Sequence, residues 1–100
     1  MKKLLSTIVL MLSPLLANAD AVEVNGIYYN LIEKFKAAEV TKNPYKYGGD
    51  IVIPSTIKHN NVEYNVTMIG EEAFYKNYIS SVVIPNSIIS IGDRAFQGCG

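Results

Sequence analysis

The chain has 100 residues, 49% hydrophobic and 18% charged, enough apolar material for one small domain with a core and too much for a disordered chain. Nine basic and nine acidic residues are spread along it for a net charge of zero, so the electrostatic footprint of a nucleic-acid-binding protein is missing. A single cysteine, Cys99, excludes an internal disulfide.

The chain opens like an export signal. Lys2 and Lys3 make a positive start, Leu4 to Leu16 an apolar stretch, and Ala17-Asn18-Ala19 a small-residue cleavage site, with "ADA" ending at Ala21 as the competing site. The alternative is an uncleaved membrane anchor, but the apolar stretch falls short of the roughly 20 residues needed to span a bilayer. Residues 1–19 are therefore expected to be a signal peptide. Cleavage removes two lysines and leaves seven basic against nine acidic residues, a net charge of −2, with no membrane span in the mature chain.

Next, "VEVNGIYYNLI", Val22 to Ile32, alternates apolar residues around Asn25-Gly26, a strong hairpin signal, and reads as strand, turn, strand. "LIEKFKAAEV" is ambiguous: Leu31, Phe35 and Ala38 could line a helix, or two strands could meet at a turn near Glu33-Lys34. "NPYKYGGD", Asn43 to Asp50, reads as a loop from its proline and glycines.

From Ile51 onward the sequence repeats. "IGEEAFYKNY", Ile69 to Tyr78, returns 22 residues later as "IGDRAFQGCG", which sets Ile69 over Ile91, Gly70 over Gly92, Ala73 over Ala95 and Phe74 over Phe96. In front of each copy, "IVIPSTI", Ile51 to Ile57, matches "VVIPNSI", Val82 to Ile88, at a spacing of 31. A nine-residue insertion, Lys58 to Val66, accounts for the difference, and its "KHNNVEYNV" reads as a hairpin turning at Asn60-Asn61. A unit this small cannot enclose a core alone, but stacked copies lay like residues into ladders. Proline ends each short strand because it has no N–H for a ladder. Gly70 and Gly92 suit a tight corner, and the Ala-Phe pair sets a small residue beside a large one between coils.

"VVIPNSIISIGDRAFQGC" resembles the leucine-rich repeat of the BspA-like type, found in surface and secreted proteins of Bacteroides, Prevotella and related bacteria. The likeness covers Ile51 to Gly100, departing from the family pattern in the insertion and in Asn77, which stands where the second copy has Cys99. The resemblance implies a mainly β leucine-rich-repeat solenoid of about two repeats, with a strand-rich N-terminal cap over residues 20–50 and repeats over 51–100. It favours two strands in the ambiguous segment. It also implies that Asn77 and Cys99 face inward and bond backbone groups, so Cys99 is expected to be buried rather than a reactive thiol. Gly100 aligns with Tyr78, so the second copy stops before its partner strand; a fragment of a longer protein is expected, with a naturally short domain as the alternative.

Catalytic signals are sparse. There is no phosphate-binding glycine loop and no metal-spaced His/Cys cluster, so neither enzymatic activity nor a cofactor is expected. His59, the one histidine, sits beside a predicted turn, and Glu71-Glu72 reads as a solvated face before it reads as an acid/base or cation site. Asn65-Val66-Thr67 matches a glycosylation sequon, of little meaning for the bacterial source that the resemblance implies. Of the seven tyrosines, Tyr75 and Tyr78 beside the repeat corner are the candidate binding surface, with packing against the next coil as the alternative. Similar proteins are implicated in adherence to host matrix proteins, epithelial cells or other bacteria, which implies protein ligands. The competing expectation is a stalk or accessory module for an activity encoded elsewhere.

Overall fold

The computed structural model describes residues 21–99; the expected signal peptide lies outside them. Eight strands follow one another: β1 (Val22–Val24), β2 (Ile27–Ile32), β3 (Ala37–Thr41), β4 (Gly48–Val52), β5 (Thr56–His59), β6 (Val62–Ile69), β7 (Tyr78–Val83) and β8 (Ser90–Ile91). The fold is mainly β, and no α-helix occurs among the described residues.

Local chemistry sets the reversals. Asn25 and Gly26 take positive φ angles of 51° and 90°, the mirror-image turn whose twist matches a hairpin, and Asn60 and Asn61 do the same at 51° and 64°. The segment with two competing readings resolves into strands: a short 3-10 turn at Glu33–Phe35 ends at Lys36, left-handed at φ 51°, and returns the chain as β3. Part of the predicted loop at 43–50 is strand instead, because Gly48 to Asp50 pair in parallel with Tyr78 to Ser81, with a bulge between Gly49 and Asp50. Even a glycine-rich segment joins a ladder when a neighbouring coil supplies one, with Gly49 at φ 73° taking up the bulge.

Two sheets result. The larger has the order β1-β2-β3-β6-β5, with β8 on the same edge of β6 as β5; the smaller pairs β4 with β7. Antiparallel hairpins, β1-β2-β3 and β5-β6, flank parallel rungs in which β3 pairs β6, β6 pairs β8 and β4 pairs β7. Parallel pairing of successive passes is the signature of a coil that advances by one strand spacing per turn. Ile69 faces Ile91, and Ile51 and Val82 face each other, at the separations of 22 and 31 seen in the sequence. The insertion is the β5-β6 hairpin. β3 and β4, upstream of Ile53, already take part in the coil ladders.

Inward residues alternate along the strands: Ile27 and Tyr29 of β2, Ala38 and Val40 of β3, and Tyr64 and Val66 of β6. Ile53, beyond β4, and Ala73, Phe74 and Ala95, from the turn segments, close the core from the other sides. Ile53 donates its N–H to the Val83 carbonyl at 3.0 Å, and Pro54 then ends the rung.

Candidate functional site

The chain crosses from the larger to the smaller sheet in a segment built wholly of tight turns, residues 70–77 in the second coil, and residues 92–99, after β8, repeat it in the third. Three turns follow one another in each: Ala73, Tyr75 and Asn77 donate N–H to Gly70, Glu72 and Phe74, and Ala95, Gln97 and Cys99 donate to Gly92, Arg94 and Phe96. The third position of the outer turns is left-handed, Glu72 (56°) and Lys76 (56°) in one coil, Arg94 (57°) and Gly98 (77°) in the next. Consecutive turns leave alternate N–H groups pointing along the stack. Glu72, Phe74 and Lys76 donate to the carbonyls of Asp93, Ala95 and Gln97 at 3.0, 2.8 and 2.9 Å, so the coils are hydrogen-bonded along this edge as well.

Inside the turns runs an aromatic column. The Phe74 ring lies 5.1 Å from Phe96, nearly parallel at 4°, and 4.7 Å from Tyr47. Ala73 and Ala95 are buried beside it, and Val40, Ile69 and Ile91 form a second column along the parallel strands. Gly70 and Gly92 each open a tight turn at the corner, and the reason they are glycine lies in the neighbouring coil. Neither has a left-handed φ; each is glycine because the neighbouring coil comes too close for a side chain. A Cβ on Gly92 would lie 2.5 Å from the Glu71 nitrogen, and one on Gly70 3.0 Å from the Val40 carbonyl oxygen.

Asn77 is buried, accepting from the Tyr47 N–H on Oδ1 and donating from Nδ2 to the Tyr75 carbonyl at 2.7 Å. Cys99, one coil on, is half-buried with its Sγ 3.0 Å from the Phe74 carbonyl oxygen, to which the thiol donates. Of three further residues with structural roles, Tyr47 and Tyr29 have no echo in the sequence repeat, whereas Ser87 lies inside it, aligned with Thr56. Tyr47 donates its hydroxyl to the Thr41 carbonyl at 2.7 Å and accepts the Tyr28 N–H at 2.9 Å, tying the first coil to the β2 hairpin. Ser87 donates to the Val66 carbonyl at 2.7 Å. Tyr29 is wholly buried with no partner for its hydroxyl. Burial pushes the Tyr29 phenol up to about 12 and raises that of Tyr47 further.

Outside the turns the surface is aromatic and basic. Tyr45 and Tyr78 are 82% and 83% exposed, and Tyr75 is half-buried under the Lys76 ammonium, 5.3 Å from the ring centroid. Glu72 is no member of an acid pair: its carboxylate lies 3.5 Å from Lys42 and 3.4 Å from Arg94, one cation from each flanking coil. Glu71 is exposed beside it. His59 lies elsewhere, on the rim of a hollow of about 720 Å³ between the β5-β6 turn and the Glu33–Lys36 turn. Among the described residues no cluster of His, Cys, Asp and Glu could hold a metal, and no helix is long and apolar enough to cross a membrane.

Parallel rungs advancing coil by coil, with an aromatic column and inward Asn/Cys positions, define a leucine-rich-repeat architecture. The model of the BspA type leucine-rich repeat region (6 copies) matches residues 29–100. A leucine-rich repeat protein from Bacteroides capillosus is similar in structure, with a TM-score of 0.66 at 33% identity over 79% of this chain and 59% of its own. A leucine rich cell surface protein from Faecalibacterium prausnitzii has a TM-score of 0.63 at 31% identity over 76% of this chain and 20% of its own. The chain thus spans less than two thirds of either relative. No curated protein matches it. The chain belongs to the BspA-type leucine-rich repeat family.

Proposed function

We propose that the chain is part of an exported, cell-surface repeat protein that binds other proteins through the outer side of its turn segments. The observation that carries this is the placement of Tyr45, Tyr75 and Tyr78 outside the column of Tyr47, Phe74 and Phe96. The inner residues fix the coils while the outer ones leave large amphipathic rings in solvent. Tyrosine supplies contact area at low entropic cost and a polar tip. Family membership supports the repeat module, and the Faecalibacterium relative is described as a cell surface protein. Residues 1–19 act as the export signal, residues 20–50 as a cap that also supplies β3 and the start of β4 to the first rungs, and 51–100 as the repeats, with Ile69, Gly70, Ala73, Phe74, Ile91, Gly92, Ala95, Phe96 and Cys99 as the ladder.

Beads carrying the exported chain, tested against immobilised matrix proteins and bacterial cells, are expected to adhere to at least one. Adhesion should be lost when Tyr45, Tyr75 and Tyr78 are changed together to serine with the melting curve preserved. Adhesion that survives the triple change refutes this surface. A second reading, a spacer for an activity located elsewhere, draws on the small share of the Faecalibacterium protein that this chain spans; adhesion to no surface would favour it.

A further inference from the structure

Deepening that reading and resting on it, we infer that the partner presents an acidic segment, an extended stretch of Asp and Glu side chains that lies along Lys42, Lys46, Lys76 and Arg94 between the exposed tyrosines. Residues 21–99 hold seven cations, and four of them are these. Among the described residues the carboxylate of Glu72 is set between two of these four, Lys42 and Arg94. The Glu72 side chain is 24% exposed against 51% and 54% for its two partners, so the cations face outward and the anion is tucked behind them. Four positive charges over one negative charge leave this strip basic.

The remainder of the same surface is the opposite. Three cations, Lys34, Lys36 and Lys58, stand against seven acids there. Two of those, Glu71 and Asp93, are exposed where the turn segments leave the larger sheet, so the charge changes sign across the segment. Lys46 and Lys76 are both left-handed, at φ 73° and 56°, and both are exposed beside a tyrosine. Lys42, Lys46, Glu72 and Tyr75 border a cleft of about 210 Å³, wide enough for a carboxylate side chain. A positive strip on an acidic surface steers an acidic segment to one place and turns it away elsewhere. The same acids repel a uniform polyanion such as DNA, whose charge continues past the strip.

The test is fluorescence anisotropy with a labelled, extended Asp/Glu-rich peptide and the mature chain. Binding is expected, with at least about tenfold loss between about 0.05 and 0.5 M salt, and a similar loss in the Lys46→Glu/Lys76→Glu double variant. Lys58→Glu, on the β5 hairpin, should leave affinity unchanged, and Lys46→Gln/Lys76→Gln should fall between. No binding, binding indifferent to the Lys46/Lys76 changes, or tighter binding of a single-stranded DNA of equal length each overturns the inference. If adhesion in the bead assay depends on the tyrosines but ignores Lys46→Glu/Lys76→Glu, the acidic partner is wrong and the tyrosine surface stands. If it ignores the tyrosines as well, both are wrong.

Discussion

The first and third coils carry the same ladders and are in different states. Val40 and Ile69 are 0% and 1% exposed, whereas Ile91, in the same column, is 49% exposed. Asn77 is buried and Cys99, one coil on, only half so. On the first coil the β1-β2 hairpin continues the larger sheet and Tyr47 plugs the aromatic column; over the third, no described residue lies. A repeat residue therefore has no fixed energetic worth, because its contribution is set by the coils on either side.

The largest effect that tests this contrast comes from one substitution made in two coils. Phe74 is wholly buried between two rings, and Phe74→Ala should cost about 3 to 5 kcal/mol, approaching the whole stability of a small domain. Phe96 has Phe74 on one side and is partly exposed, so Phe96→Ala should cost less than half as much. Denaturant melts of the two variants measure the difference; equal losses would mean that the third coil is as well covered as the second.

Next come the two buried tyrosines at the first coil. Tyr47→Phe leaves the Tyr28 N–H and the Thr41 carbonyl without their partner and should destabilise by about 1 to 3 kcal/mol. Tyr29→Phe removes a buried hydroxyl that has no partner and should be neutral or stabilising by up to about 1 kcal/mol. Opposite signs from one chemical change in one core would confirm that hydrogen bonding, rather than ring packing, distinguishes the two.

The same pair governs alkaline stability. A phenol whose folded pKa is raised holds its proton more tightly folded than unfolded. Its contribution is whole below the ordinary value of 10.0 and is lost as pH climbs toward about 12 for Tyr29. The melting temperature should fall steadily above pH 10, and less steeply in the Tyr29→Phe/Tyr47→Phe double variant. Thermal melts followed by circular dichroism across that range check it.

Where the motifs recur intact, the sequence reveals the coils: the spacings of 22 and 31 reappear as strand register, and the Asn-Gly and Asn-Asn pairs as hairpin turns. The first coil was harder to read because its segment between the two sheets is shorter: Asp50 follows Val40 by 10 residues, whereas their partners Ser81 and Ile69 are 12 apart. Val40 pairs with Ile69 at a separation of 29, Gly48 with Tyr78 at 30 and Asp50 with Ser81 at 31, so no single offset aligns it, and bulges in both pairings absorb the difference. Tyr47 consequently has no counterpart to betray its role. Glu72 was equally opaque, because its partners lie one coil away on either side and only the stacked geometry brings them together.

The smallest effect separates ion pairing from backbone strain within the turn segments. Glu72 loses two flanking cations on substitution, but exposed pairs of this kind contribute only about 0 to 1 kcal/mol. Its left-handed φ of 56° costs a residue with a Cβ about 1 kcal/mol or more relative to glycine. Glu72→Ala keeps that strain and discards the pairs, whereas Glu72→Gly discards the pairs and relieves the strain, so glycine should be the more stable of the two by about 1 kcal/mol. Arg94, at the same position of the third coil with φ 57° and one pair to lose, should show the same order, with its glycine variant close to the parent or above it. Were alanine better tolerated than glycine at both positions, the left-handed turns would not be the strained element of this edge, and the ion pairs across the coils would carry more of its stability than their exposure suggests.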